Sequence, residues 1–176
     1  MTKFLFGLVL GLVLVPVCVY LYLTSGRAPA AATDPPMPFE TTIAKTALHA
    51  KIAKEMPRAA PLEANELTYL AGARVYRANC AQCHGLPNHT PPVIAKGMFP
   101  SCPQLWEKDH MVTDDPPGET FWKVKNGIRL TGMPAFAPAL STDEMWQVSL
   151  LLANADKLPP SVQTALAAPS GAGEAK

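Results

Sequence analysis

The feature that constrains this chain most is the pentapeptide at residues 80–84, which reads CAQCH. In a helical turn, residues at positions i, i+3 and i+4 project from one side. Cys80, Cys83 and His84 are therefore expected to face the same object. The motif predicts a single site at which two thiols and one imidazole converge.

A haem fits such a site, because two thiols can add across its two vinyl groups while an imidazole ligates its iron. A thioredoxin-like thiol pair would need a preceding strand in a βαβ unit, and a structural zinc site would need further Cys or His residues at matching spacing. The sequence offers neither context. One covalently attached haem c is the predicted cofactor, bound by Cys80, Cys83 and His84.

The sixth iron position decides between an electron carrier and a gas binder or sensor. Of the 7 methionines, Met98, Met111 and Met133 follow the motif outside predicted helices. Met133 is favoured because Gly132 and Pro134 place it in an irregular loop between two predicted helices. Met98 also lies in a loop bounded by Gly and Pro and is the second choice, whereas Met111 is most simply a surface residue.

The amino-terminal segment predicts a membrane anchor. Residues 4–23 contain no charged side chain, and about 20 residues of helix cross the roughly 30 Å hydrocarbon core of a bilayer. Residues 28–30 resemble a signal-peptide cleavage site, so a cleaved signal peptide stays an alternative. Lys3 before the span and Arg27 after it weakly favour a cytoplasmic amino terminus and an extracytoplasmic body.

The remaining chain has room for one core, and no segment shows the period-two alternation of a strand. The net charge of +1 does not indicate the strongly basic surface that is typical of nucleic-acid-binding proteins. An all-α architecture is predicted. Its parts are residues 1–25 (transmembrane anchor or signal peptide), 26–38 (Pro/Ala linker), 39–61 (helical extension, expected to pack against the body), 62–160 (haem domain) and 161–176 (disordered tail).

Local sequence features locate the helices of the domain. Asn65 is a suitable N-cap, and Gly72 inside the helix that follows indicates a close helix crossing. Gly127 is a suitable C-terminal stop for a helix beginning near residue 117. Residues 141–144 form a capping box at the start of the last helix.

Residues 67–158 resemble the small bacterial monohaem class I c-type cytochromes. Besides CAQCH, the resemblance rests on Gly72 and Tyr76 before the motif, on residues 126–136 with their NGI and GMPAF stretches, and on a closing helix that carries Trp146. It implies a small helical cytochrome c-like domain wrapped on one covalent haem, in which the first and last helices cross at Gly72.

The resemblance also implies His84 and Met133 as the two axial ligands. It further implies that the carbonyl of a proline in the loop after the motif orients the imidazole, and Pro91 and Pro92 are the candidates. Haem attachment in this family takes place on the extracytoplasmic side. Cys102 stands apart from the motif and is expected to be a buried thiol rather than an intermolecular one.

These features predict an electron-transfer protein that is not itself an enzyme. An iron with both faces filled has no place for a substrate, and no Ser/His/Asp or phosphate-loop pattern appears. The expected location is the cytoplasmic membrane, single-pass, with the haem domain on the periplasmic side. The expected partners are redox proteins, namely a dehydrogenase, a quinol-oxidising complex or a terminal oxidase. Alternatives are a haem-bearing subunit permanently docked in a larger respiratory oxidoreductase and, with an open sixth position, a haem sensor or gas binder.

Overall fold

The computed structural model describes residues 1–168, and within them all regular structure is helical. This confirms the all-α prediction. The α-helices are α1 (Thr2–Thr24), α2 (Glu40–Glu55), α3 (Glu66–Asn79), α4 (Ala81–His84), α5 (Val93–Lys96), α6 (Pro117–Asn126), α7 (Thr142–Ala153) and α8 (Pro160–Ala167), with a short 3₁₀ turn at Lys108–His110.

The chain divides into two compact units, residues 1–44 and the residues from 45 onward. In the first unit, α1 is long and apolar enough to cross a membrane. A membrane anchor and an uncleaved signal sequence both have this character. Residues 26–38 form turns and bends without a helix, as their Pro and Ala content favours.

In the second unit, α3 and α7 cross at Gly72. A Cβ atom at this glycine would run into the backbone carbonyl of Gln147 on α7, so the close crossing that the sequence predicts is confirmed. Tyr76 and Trp146 are buried in the core that surrounds this crossing. The Trp146 ring also stacks on Phe121 of α6, with ring centroids 4.2 Å apart.

Side-chain caps fix where α3 and α7 begin. The Asn65 side chain accepts a hydrogen bond from the Thr68 amide at 3.1 Å. Ser141 and Glu144 form a reciprocal capping box at the start of α7. Because each cap satisfies backbone amides that have no partner within the helix, these starts are encoded locally.

The prediction of disorder from residue 161 is wrong for residues 161–167, which belong to α8. Pro159 and Pro160 lie where the predicted domain ends, yet proline is well tolerated in the first turn of a helix. Val162 and Leu166 are spaced by one helical turn, and both are fully buried in the core. The predicted disorder of residues 169–176 lies outside the described residues.

The end of the extension packs against α6. The Trp122 indole Nε1–H donates to a Glu55 carboxylate oxygen at 3.1 Å. Gly118 has no room for a Cβ because the Pro57 carbonyl occupies that space. Ile52 is only 2% exposed, so the part of the extension from residue 52 onward packs as part of the body.

Candidate functional site

The CAQCH pentapeptide forms one helical turn. Cys80 ends α3, and its carbonyl accepts hydrogen bonds from the amides of Cys83 at 3.0 Å and of His84 at 2.9 Å. The structure therefore brings Cys80, Cys83 and His84 together on a single turn, and neither cysteine is in a disulfide bond.

Burial shifts the pKa values of Cys80 and His84. It raises the pKa of the Cys80 thiol to about 12. It also lowers the pKa of His84, an effect that the hydrogen bond to Pro103 partly opposes. His84 is consequently neutral at physiological pH, and the neutral imidazole is the form that coordinates a metal.

The carbonyl that orients His84 belongs to Pro103, at 2.8 Å from His84 Nδ1. The expectation of Pro91 or Pro92 is therefore wrong. The Pro92 carbonyl instead accepts from the Ala95 amide at the start of α5, so the chain makes another turn before it reaches the imidazole. The contact with Pro103 occupies Nδ1 and leaves Nε2 as the nitrogen able to bind iron.

Two neighbours of Pro103 complete what we call the proximal strap, residues 102–104. The Cys102 thiol lies 3.3 Å from the Cys83 carbonyl oxygen, to which it donates. The Gln104 side-chain amide donates to the same carbonyl at 3.1 Å. Cys102 is partly buried, as expected of a thiol that packs inside the protein, and burial raises its pKa to about 11. No local sequence pattern marks the strap as a partner of the motif.

The loop that carries Met133 is held by its own backbone. The Ile128 amide donates to the Met133 carbonyl at 3.1 Å, and the Met133 amide donates to the Thr131 hydroxyl at 3.1 Å. Gly127 has a φ of +66°, and a Cβ there would lie 2.6 Å from the Ala135 amide nitrogen. The NGI and GMPAF stretches therefore close one compact turn.

Met133 is partly buried and packs against the hydrophobic core cluster to which Cys80 belongs. Met98, the second choice, also reaches this loop, because its Sδ lies 3.1 Å from the position of a Cβ at Gly132. Met111, which was expected at the surface, is partly buried.

The surroundings of the motif suit a haem. The Tyr76 hydroxyl donates to the Gly85 carbonyl at 2.8 Å, and burial keeps the pKa of this tyrosine raised. Trp106 meets the Tyr76 ring edge-on, with centroids 5.3 Å apart. Its buried indole N–H has no hydrogen-bond partner within residues 1–168, whereas a buried indole N–H usually has one, so a group bound beside it could accept this hydrogen bond.

The donor set agrees with this fit. Two free thiols and one neutral imidazole on a single turn are the groups that covalent attachment and iron ligation require. Across the described part of the chain, no group of three or more His, Cys, Asp or Glu side chains could hold a metal ion unaided. The residues of the motif therefore fit haem c better than a bare metal ion.

Comparison with known proteins finds a matching family model and a similarity to a solved protein complex. The family model described as cytochrome c oxidase, cbb3-type, subunit III matches residues 67–150. A chain of the reducing HAO-like protein complex of Kuenenia stuttgartiensis is 25% identical, with a TM-score of 0.44 over 57% of this chain and 49% of that chain. The present chain thus covers about half the length of that structure. No curated protein matches.

Proposed function

From the premise that residues 67–150 form a c-type cytochrome domain with covalently bound haem c, we propose that this protein is a membrane-anchored one-electron carrier. The haem supplies a reversible one-electron iron couple. The observation that carries the proposal is the single turn presenting Cys80, Cys83 and His84, with Nδ1 of the imidazole engaged by Pro103.

Each residue of the turn has a separate role in the proposal. Cys80 and Cys83 would hold the haem through two thioethers, each formed by addition of an S–H bond across a vinyl group with nothing released. His84 offers Nε2 to the iron, while the Nδ1–H bond to Pro103 holds the ring orientation. An outer hydrogen bond of this kind also raises the basicity of a ligating imidazole.

Met133 is the second side chain that would bind the iron. Its loop is tied by backbone hydrogen bonds and by the close approach of Gly127, which favours a fixed position for the thioether. With His84 and Met133 both bound to it, the iron would have no position left for a substrate or a gas. A thioether ligand favours the reduced state, so a raised potential is expected. The proposal is therefore a carrier rather than an enzyme or a sensor.

The proposed location is the cytoplasmic membrane, with α1 as its single span and the haem domain on the periplasmic side. The length and apolar composition of α1 support the span, and the distribution of Lys3 and Arg27 supports the orientation. Proposed partners are a dehydrogenase, a quinol-oxidising complex or a terminal oxidase in the same membrane.

A second candidate is a haem-bearing subunit that stays docked in a respiratory oxidoreductase. The description of the matching family, a subunit of a cytochrome c oxidase, favours it. Mild detergent extraction and size-exclusion chromatography separate the two candidates. A free carrier elutes alone, whereas a subunit elutes with a haem-containing complex.

The ligation is tested with the full chain, produced in detergent from a host that attaches haem c. Optical spectra are recorded of the oxidised protein, of the reduced protein, and of the reduced protein with carbon monoxide. We expect a low-spin reduced spectrum that carbon monoxide leaves unchanged, and a weak far-red iron–sulfur band in the oxidised form. Met133→Ala should abolish that band and allow carbon monoxide to bind, whereas Met111→Ala should do neither.

Other results of these spectra would show which part of the proposal is wrong. Loss of the band in Met98→Ala but not in Met133→Ala would move the ligand to Met98. Carbon monoxide binding by the unmodified protein would overturn six-coordinate ligation and favour a sensor or gas binder. Absence of covalent haem would overturn the proposed function entirely.

A further inference from the structure

Cys102 is the one thiol of the domain that haem attachment does not use, and it lies against the residue proposed to bind the iron. Its Sγ is 3.4 Å from His84 Nδ1 and 3.3 Å from the carbonyl oxygen of Cys83. The His84 ring therefore meets two groups of the proximal strap at the same nitrogen, the Pro103 carbonyl and this sulfur.

The direction of the hydrogen bonds follows from counting hydrogens. A thiol has one hydrogen, and the Cys83 carbonyl is placed to accept it. A neutral imidazole that gives Nε2 to iron carries its hydrogen on Nδ1. The Nδ1–H donates mainly to Pro103 at 2.8 Å, and the lone pairs of the Cys102 sulfur stand beside it as a second, weaker acceptor.

Gln104 fixes the strap independently of the thiol. Its side-chain amide donates to the Cys83 carbonyl at 3.1 Å and to the Cys102 carbonyl at 3.2 Å. The backbone of the strap is thus tied to the CAQCH turn without any contribution from the sulfur. Removing the sulfur is expected to change the environment of Nδ1 while leaving the Pro103 contact in place.

We propose that Cys102 is a positioning residue that tunes the potential of the haem through His84. The inference rests on the proposed ligation by His84. A second acceptor at Nδ1 draws its hydrogen outward and makes the imidazole a stronger electron donor, which favours oxidised iron. The soft, polarisable sulfur beside the ring acts in the same direction. Cys102 therefore lowers the potential relative to a chain that has only the Pro103 contact.

The test compares the haem-loaded full chain with Cys102→Ala and Cys102→Val by redox titration. Both substitutions remove the acceptor, but only alanine leaves a gap in the packing. At a fixed solution potential, we expect the ratio of reduced to oxidised protein to rise about two- to fivefold in both variants. A change of this size corresponds to the free energy of a weak hydrogen bond. Ser101→Ala is the matched control, because Ser101 is the exposed preceding residue, and its ratio should not change.

Proton NMR of the reduced protein gives a second readout that packing alone would not move. The resonance of the His84 Nδ1 hydrogen should shift in the two Cys102 variants and stay unchanged in Ser101→Ala. An unchanged reduced-to-oxidised ratio in both variants, or an equal change in the Ser101 control, overturns the proposal. If the reduced-to-oxidised ratio changes in Cys102→Ala but not in Cys102→Val, the effect comes from the gap in the packing, and the proposal is overturned as well.

Failure of this inference is distinguishable from failure of the proposed function. One result is a low-spin spectrum of the unmodified protein that carbon monoxide leaves unchanged, while the reduced-to-oxidised ratio is the same in the Cys102 variants. That result overturns only the role of Cys102. If the unmodified protein binds carbon monoxide, the ligation itself is wrong. If neither Cys102 variant retains haem, the residue is structural and the tuning role is overturned.

Discussion

The two sides of the candidate haem site use the same backbone conformation in different surroundings. Gly85, after the CAQCH turn, has φ 71° and ψ −178°. Gly127, before the Met133 loop, has φ 66° and ψ −176°. A Cβ at Gly85 would meet the end of the Gln104 side chain at 2.6 Å, whereas a Cβ at Gly127 would meet the backbone of residues 133–135 at 2.6 to 2.8 Å.

This difference separates the surroundings of the two proposed ligands, His84 and Met133. On the histidine side, the Pro103 carbonyl contacts the imidazole, while the atom that crowds Gly85 is the end of the Gln104 side chain, which can move or be replaced singly. On the methionine side, the backbone of Gly127 packs directly on the backbone of residues 133–135. Neither segment can shift without moving the loop that carries Met133. Substitutions on the histidine side are therefore expected to change the surroundings of the imidazole by small steps. Substitutions that disturb the backbone packing on the methionine side are expected to displace the thioether altogether.

The largest effect is expected for Gly127→Ala. The backbone conformation of Gly127 is essentially restricted to glycine and costs another residue about 1 to 3 kcal/mol, and the overlap with backbone adds about 1 to 3 kcal/mol. We expect the free energy of unfolding to fall by about 3 kcal/mol or more in chemical denaturation of the haem-loaded protein. The reduced variant should also bind carbon monoxide, because Met133 is displaced.

Gly97→Ala is the matched control for this prediction. Gly97 has a negative φ, and the nearest atom to a Cβ there is 3.9 Å away. Its substitution should change the free energy of unfolding little. Equal losses in the two variants would show that the Met133 loop does not depend on the close approach at Gly127.

A smaller loss is expected for Gly85→Ala, about 2 kcal/mol from the backbone conformation with a modest addition from the overlap. Because the overlapping atom is the Gln104 side-chain oxygen, the Gly85→Ala loss should shrink when it is measured in a Gln104→Ala background. A double-mutant cycle in chemical denaturation measures this coupling. Additive losses would mean that the strap does not crowd Gly85.

Features that depend on a few consecutive residues could be predicted from the sequence. The CAQCH turn, the caps at Asn65 and Ser141, and the stop at Gly127 each rest on contacts within about one helical turn. The crossing at Gly72 was also predictable, because a glycine inside an otherwise favourable helix needs a reason.

Features that depend on the path of an irregular loop could not be predicted. Pro103 reaches His84 across 19 residues of the chain, and the chain has 19 Pro from which to choose. Cys102 and Gln104 have no pattern that links them to the motif. The helix at Pro160–Ala167 has no local signal, because its stability comes from burying Val162 and Leu166 against distant residues and its two leading prolines are also typical of a helix end.

The smallest effect is expected for Thr131→Ala, which removes a side-chain contact from the side that we attribute to backbone packing. The Thr131 hydroxyl donates to the Ile128 carbonyl at 2.7 Å and accepts from the Met133 amide at 3.1 Å. The direct Ile128–Met133 backbone bond remains, so we expect a loss of about 1 kcal/mol or less in the free energy of unfolding. The reduced variant should still exclude carbon monoxide, and Thr131→Ser, which keeps the hydroxyl, should behave as the unmodified protein. A loss as large as that of Gly127→Ala would contradict the comparison, because a single side chain would then hold the methionine side.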